Sequence, residues 1–183
     1  MQAFRPALCR RDRVITNRPK RLTGVSYVGL QRYFVTTCTA FRKPIFKDDD
    51  VARHVTSRIL NSADGHAFAT VAYCLMPDHV HLLVVAQRED ADLRLFVKDA
   101  KQVTGFDYRQ VKRAALWQPG YHERVLRDDE ATLAVARYIL ENPVRAGLAA
   151  ALGEWPHAGS GVYTWLELMT AWEESAPSRE RQT

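Results

Sequence analysis

Phe68-Ala69-Thr70-Val71-Ala72-Tyr73-Cys74-Leu75-Met76-Pro77-Asp78-His79-Val80-His81-Leu82-Leu83-Val84-Val85-Ala86 is the stretch on which the fold turns. Residues 68–76 are apolar, β-branched or aromatic enough for a strand. Pro77-Asp78 is a turn pair, and the run to Ala86 continues as a second strand. Side chains alternate along a strand, so His79 and His81 project from one face while Val80 and Leu82 project from the other. Two imidazoles on one rigid face can hold a divalent ion with positions left open, as a catalytic metal requires. A pair of hydrogen-bonded or surface histidines is the plainer reading of the same residues.

Working outward, Tyr33 to Thr39 reads as a strand rich in aromatic and β-branched residues. Asp48-Asp49-Asp50 offers capping acids for a helix running to about Asn61, with Asp64-Gly65 closing it. A second helix starts near Asp92 and carries Leu93, Phe96, Val97 and Ala100 on one stripe, with Lys98 and Lys101 adding charge. Tyr121 to Leu126 is a short fourth strand. Asp128-Asp129-Glu130 opens a third helix that ends near Asn142, because Pro143 disfavours helical geometry in the residue before it. The order strand, helix, two strands, helix, strand, helix predicts an α+β fold. Its centre is a ferredoxin-like split βαβ antiparallel sheet with helices on one face, plus an added C-terminal helix on the histidine side.

The chain has 183 residues, of which 46% are hydrophobic, enough for one compact domain with tails. We expect a basic arm over 1–26, the globular domain over 27–165 and a polar tail over 166–183. The net charge of +5 suits an anionic partner. Arg5, Arg10, Arg11, Arg13, Arg18, Lys20 and Arg21 have Asp12 as the only acid among them, so a phosphate backbone fits this arm, as does a merely solvated tail. Cys9, Cys38 and Cys74 are far apart, with no paired spacing for zinc or a disulfide framework, which predicts a reducing, cytoplasmic setting. No run reaches the roughly 20 apolar residues of a membrane span, and no apolar segment of a secretory signal follows the first arginines.

On the third helix, Tyr138 and Asn142 are four apart and share a face, separate from the stripe Leu133, Ala136 and Leu140. A phenol is a poor nucleophile at neutral pH because its pKa is ~10, but a divalent ion beside a target phosphate lowers the barrier. The Asn142 amide oxygen is a suitable hard ligand. Taken alone, a core or interface tyrosine is the plainer reading of Tyr138, and a helix C-terminal asparagine is a common reading of Asn142.

Three segments taken in order resemble one family: Tyr73 to Leu83; Leu116-Trp117-Gln118-Pro119-Gly120-Tyr121 with Arg127; and Tyr138 to Leu148. The resemblance, which spans roughly Tyr33 to Tyr163, is to the REP-associated tyrosine transposases, single-tyrosine relatives of the His-hydrophobe-His superfamily. It implies a ferredoxin-like fold, a Mg²⁺ or Mn²⁺ ion on His79 and His81, Asn142 as third ligand and Tyr138 as nucleophile. The substrate it implies is single-stranded DNA next to REP-like hairpins, bound by a monomer or homodimer at the nucleoid. Lys98, Lys101, Arg127 and Arg145 are candidate phosphate contacts beside Arg10, Arg11 and Arg13 of the arm, and Trp117 is a candidate base-stacking residue. Where many relatives carry a histidine, this chain has Arg124; His122 is a weak candidate base. The rival readings are a hairpin-binding module without catalysis and a metal-dependent nuclease that activates water.

Overall fold

The structure is a computed structural model that describes residues 26–127 and 132–175. Strands β1 (Arg32–Cys38), β2 (Phe68–Met76), β3 (His79–Ala86), β4 (His122–Val125) and β5 (Ala158–Gly159) form one antiparallel sheet in the order β4-β1-β3-β2-β5. The β2–β3 hairpin closes through Pro77-Asp78, with Met76 paired to His79, as the apolar runs on either side of the turn predict. β1 lies against the other edge of β3, setting Thr36 opposite His81 and Cys38 opposite His79.

Helices α1 (Asp49–Gly65) and α2 (Leu93–Lys112) cover one face. Each begins on the expected aspartate. The Asp48 carboxylate accepts from the Val51 amide at 3.2 Å and that of Asp92 from the Arg94 amide at 2.7 Å, satisfying first-turn donors that otherwise have no helical partner. Beneath these helices Val35, Leu75, Val80 and Leu82 of the sheet meet Phe46, Ile59 and Phe96. Each such side chain contributes about 1.5–3 kcal/mol on leaving water.

The other face carries α3 (Thr132–Leu140), the short α4 (Asn142–Arg145) and α5 (Trp165–Ser175). Val135, Ala136, Ile139 and Leu140 of α3 pack with Leu168 and Trp172 of α5 onto Phe34, Ala72, Cys74 and Leu83. A β-bulge between Thr70 and Ala72 makes this possible. It shifts the register of β2 by one residue, so that Phe68 faces the α1–α2 layer while Cys74 and Met76 face the α3 layer.

One expectation is corrected. Residues 166–175 form a helix rather than part of a polar tail, because Leu168 and Trp172, one turn apart, are buried against α3 and the Trp172 indole donates to the Leu133 carbonyl at 3.0 Å. Cys74 is free and buried, and Cys9 lies outside the described residues. Among the described residues no helix is long and apolar enough to cross a membrane. Arg10, Arg11 and Arg13 lie outside the described residues.

Candidate active site

The odd-numbered residues of β3 point toward the α3 layer, so the two imidazoles sit beneath the helix that bears Tyr138. They are held from both sides. His79 Nδ1 is 2.6 Å from Asp78 Oδ1, and Asp78 Oδ2 is 3.0 Å from an Arg42 guanidinium nitrogen. A carboxylate only accepts, so His79 donates through Nδ1 and keeps its Nε2 lone pair. Burial alone would raise the Asp78 carboxyl, but the hydrogen bond from His79 and the nearby charges of His79 and Arg42 outweigh it and hold the group below the usual carboxylate range. Phe41 and Arg42 take left-handed backbone, both with φ of 56°, to bring the guanidinium to this position.

His81 is buried, stacked on Phe34 at 5.3 Å between ring centroids, with Nδ1 2.9 Å from the Thr36 hydroxyl. Burial, followed by the charges of His79, Arg145 and Arg42, pushes its pKa well below 6.5. It is therefore neutral at physiological pH, the state in which imidazole binds metal.

The two Nε2 atoms converge to 3.1 Å, their rings nearly perpendicular at 81°. For metal–nitrogen bonds of about 2.1 Å that separation corresponds to an angle of about 95° at a shared ion, nearer octahedral than tetrahedral. Two imidazole nitrogens at that separation could share one divalent ion with positions left open. Among the described residues no third His, Cys, Asp or Glu joins the pair, so an amide, a hydroxyl, water or substrate must supply the remaining donors.

Tyr138 is half-buried against the α3-side core. After the turn at Glu141, α4 folds Arg145 back over it. The guanidinium carbon lies 4.0 Å from the Tyr138 ring centroid, and the group also donates to the Tyr138 carbonyl and pairs with Glu141 at 3.2 Å. Arg145 is close enough to act electrostatically on both His81 and Cys74. The Asn142 side-chain nitrogen donates to the carbonyls of Tyr138 and Ile139, both at 3.1 Å, which leaves the amide oxygen out of those bonds. Arg145 and Asn142 therefore share the layer of the imidazoles, as does the row Cys74, His81, Thr36 and His122 across four strands, with Arg124 beside Phe34.

Lys98 and Lys101 do not join them. Both are on α2, on the opposite layer, and the Lys101 ammonium is engaged by the carbonyls of Gln118 and Gly120. Hydrophobic periodicity identifies the buried stripe of a helix but not which side of the sheet it covers. Arg127 is exposed beyond β4, its carbonyl accepting from Arg32 at 2.7 Å. Trp117 is half-buried, donating to Thr104 at 2.8 Å. Thr36, Phe34 and Arg42 are site residues the sequence reading missed. Asp78, read there only as a turn residue, has one available signal, its place directly before His79.

A His-hydrophobe-His strand of a ferredoxin-like sheet, lying under a helix that bears one tyrosine, defines the single-tyrosine class of that superfamily. The chain belongs to the IS200-like transposase family, whose model matches residues 27–142. A Haemophilus influenzae protein assigned as a REP-associated tyrosine transposase is 25% identical over 138 residues, 69% of this chain and 77% of that one. A solved REP-associated tyrosine transposase bound to a REP hairpin superposes with a TM-score of 0.61 at 19% identity, covering 76% of this chain and 82% of that one, a likeness of fold. The family and these relatives are tyrosine transposases.

Proposed function

We propose that this protein is a divalent-metal-dependent strand transferase that cuts single-stranded DNA beside REP-like hairpins through a covalent tyrosine intermediate. The observation that carries the reading is the pair of Nε2 atoms 3.1 Å apart on the sheet face covered by the Tyr138 helix. The hairpin borne by the solved relative supports the substrate class.

In this mechanism His79 and His81, with the Asn142 amide oxygen, would hold Mg²⁺ or Mn²⁺, which when bound would supply charge neutralisation at the scissile phosphate. Asp78 and Thr36 fix the two ring orientations, and Arg42 pairs with Asp78 from the other side. Tyr138 attacks phosphorus as its phenolic proton leaves. The bond to the 3′ oxygen breaks, that oxygen takes up a proton, and a 5′-phosphotyrosine remains with a free 3′-hydroxyl. One phosphodiester replaces another, so rejoining needs no nucleoside triphosphate. Arg145, above the Tyr138 ring, is placed to meet the phosphate on the same side.

The test is incubation of labelled single-stranded DNA hairpins with the protein and Mg²⁺ or Mn²⁺, followed by a denaturing gel. A shifted covalent band lost in Tyr138→Phe and in His79→Ala is the expected result. Multiple turnover without an adduct would replace the reading with activated-water hydrolysis. Metal-independent binding without cleavage would replace it with a binding module.

A further inference from the structure

Two cavities of similar size flank α2. One, of about 520 Å³, lies toward α1 and carries His54 and Lys112 beside Asp48, Asp50 and Asp107, whose carboxylates pair with Lys112, Arg53 and Arg58. The other, of about 530 Å³, is lined by Lys101, Gln102, Phe106, Arg109, Trp117 and Pro119 among others, with no acid on its walls. Phe106 is 61% exposed there, one turn before the exposed Arg109, an apolar ring left in water for which the core provides no reason. Gln102 adds an amide that can both donate and accept.

The second cavity sits at the end of the sheet where the imidazoles are. Its loop pairs with the end of β1, through a Thr39–Trp117 bridge and a bond from the Gln118 amide to the Cys38 carbonyl at 3.1 Å, and Cys38 is the register partner of His79. Two strand spacings, about 10 Å, therefore separate that loop from His79. Between them lies the turn after β1, tied to Asp78 on one side through Thr39 and to Leu116 on the other through Ala40. At its tip Phe41 is 71% exposed in left-handed backbone.

We infer that this cavity is a subsite for an unpaired nucleotide of the DNA flank, its base stacked on Phe106 and its phosphate paired with Arg109. The strand reaches it from the imidazole pair around the sheet end past Phe41. An aromatic face beside a cation is the chemistry that holds single-stranded nucleic acid without reading a duplex. This inference rests on the strand-cleaving reading and adds to it where the flank goes.

Fluorescence anisotropy on the full-length protein tests it, with a labelled DNA hairpin carrying a short unpaired flank and the same hairpin made blunt. Phe106→Ala should weaken binding of the flanked hairpin by roughly five- to 150-fold and leave the blunt one unchanged. Making the flank abasic should abolish the difference between wild type and variant. Arg109→Ala should lower the salt slope for the flanked hairpin by about one. Both side chains are exposed, and a far-UV melt matching wild type verifies folding. Equal weakening on both DNAs, or none on either, overturns the subsite alone. Wild-type protein that binds neither DNA overturns the strand-cleaving reading and the subsite together.

Discussion

Replacing Asp78 with Asn tests how the imidazole pair is aimed. In the native protein each carboxylate oxygen has one charged or polarised partner, His79 Nδ1 at 2.6 Å and Arg42 at 3.0 Å, and the Asp78 and Arg42 side chains are only 24% and 13% exposed. Solvent screening of this pair is therefore weaker than at a surface ion pair. Asparagine keeps one acceptor for His79 but removes the negative charge facing the ring and leaves Arg42 facing a neutral amide. Loss of such an outer partner lowers metal affinity by about 10–100-fold, or about 1.4–2.7 kcal/mol. Loss of the hydrogen bond between charged groups costs about 1.5–3 kcal/mol of fold stability. Mn²⁺ titration followed by electron paramagnetic resonance measures the first, and urea unfolding of the metal-free protein the second. Mn²⁺ affinity equal to wild type in Asp78→Asn, with His79→Ala abolishing binding, would refute the argument that Asp78 orients the ligand.

Thr36→Val keeps the shape of the side chain but takes away the partner of His81 Nδ1, and should cost about 1–3 kcal/mol in urea unfolding together with a weaker Mn²⁺ titration. Trp172→Ala should cost about 3–5 kcal/mol, since the ring is buried between α3 and α5; a cost near zero by chemical denaturation would mean α5 is not docked. Lys98→Ala should leave adduct yield on the denaturing gel within about twofold of wild type, because an isolated exposed cation on the far layer contributes little. Burial pushes the Cys74 thiol from 9.0 up to about 12, opposed by Arg145. The folded state then holds a proton that the unfolded state releases, so this contribution to stability is complete below pH 9 and falls as pH rises from 9 toward 12. Urea midpoints across that range should drop more steeply for wild type than for Cys74→Ala.

The hairpin was legible because two apolar runs flank a Pro-Asp turn, and the alternation of β3 put both histidines on one face without any long-range information. The helix starts were legible because Asp48 and Asp92 cap them locally. What stayed hidden was non-local. Thr36 reaches His81 through the β1–β3 register, 45 residues away, and nothing in residues 32–38 announces that pairing. The side of the sheet on which Lys98 and Lys101 fall is set by the handedness of the βαβ connections rather than by their own spacing. α5 reads as tail in the sequence because its two buried residues, Leu168 and Trp172, stand among the exposed Leu166, Met169, Glu173 and Glu174, so one face of about three turns looks like mixed composition.

The sheet divides the apolar interior into two cores that share no side chain, one under α1 and α2 and one under α3 and α5. Opening of the second core exposes its own surface and leaves the first intact, so the free energy for lifting α3 is a fraction of that for global unfolding. The imidazoles lie on central strand β3 between β1 and β2, so slow exchange is expected there, whereas Tyr138 rides on α3, where earlier opening is expected. Under the proposed mechanism, a tyrosine joined to a DNA end would swing away and return while the imidazole pair stays in register, and amide exchange faster across α3 than across β3 is the expected signature of that division of labour.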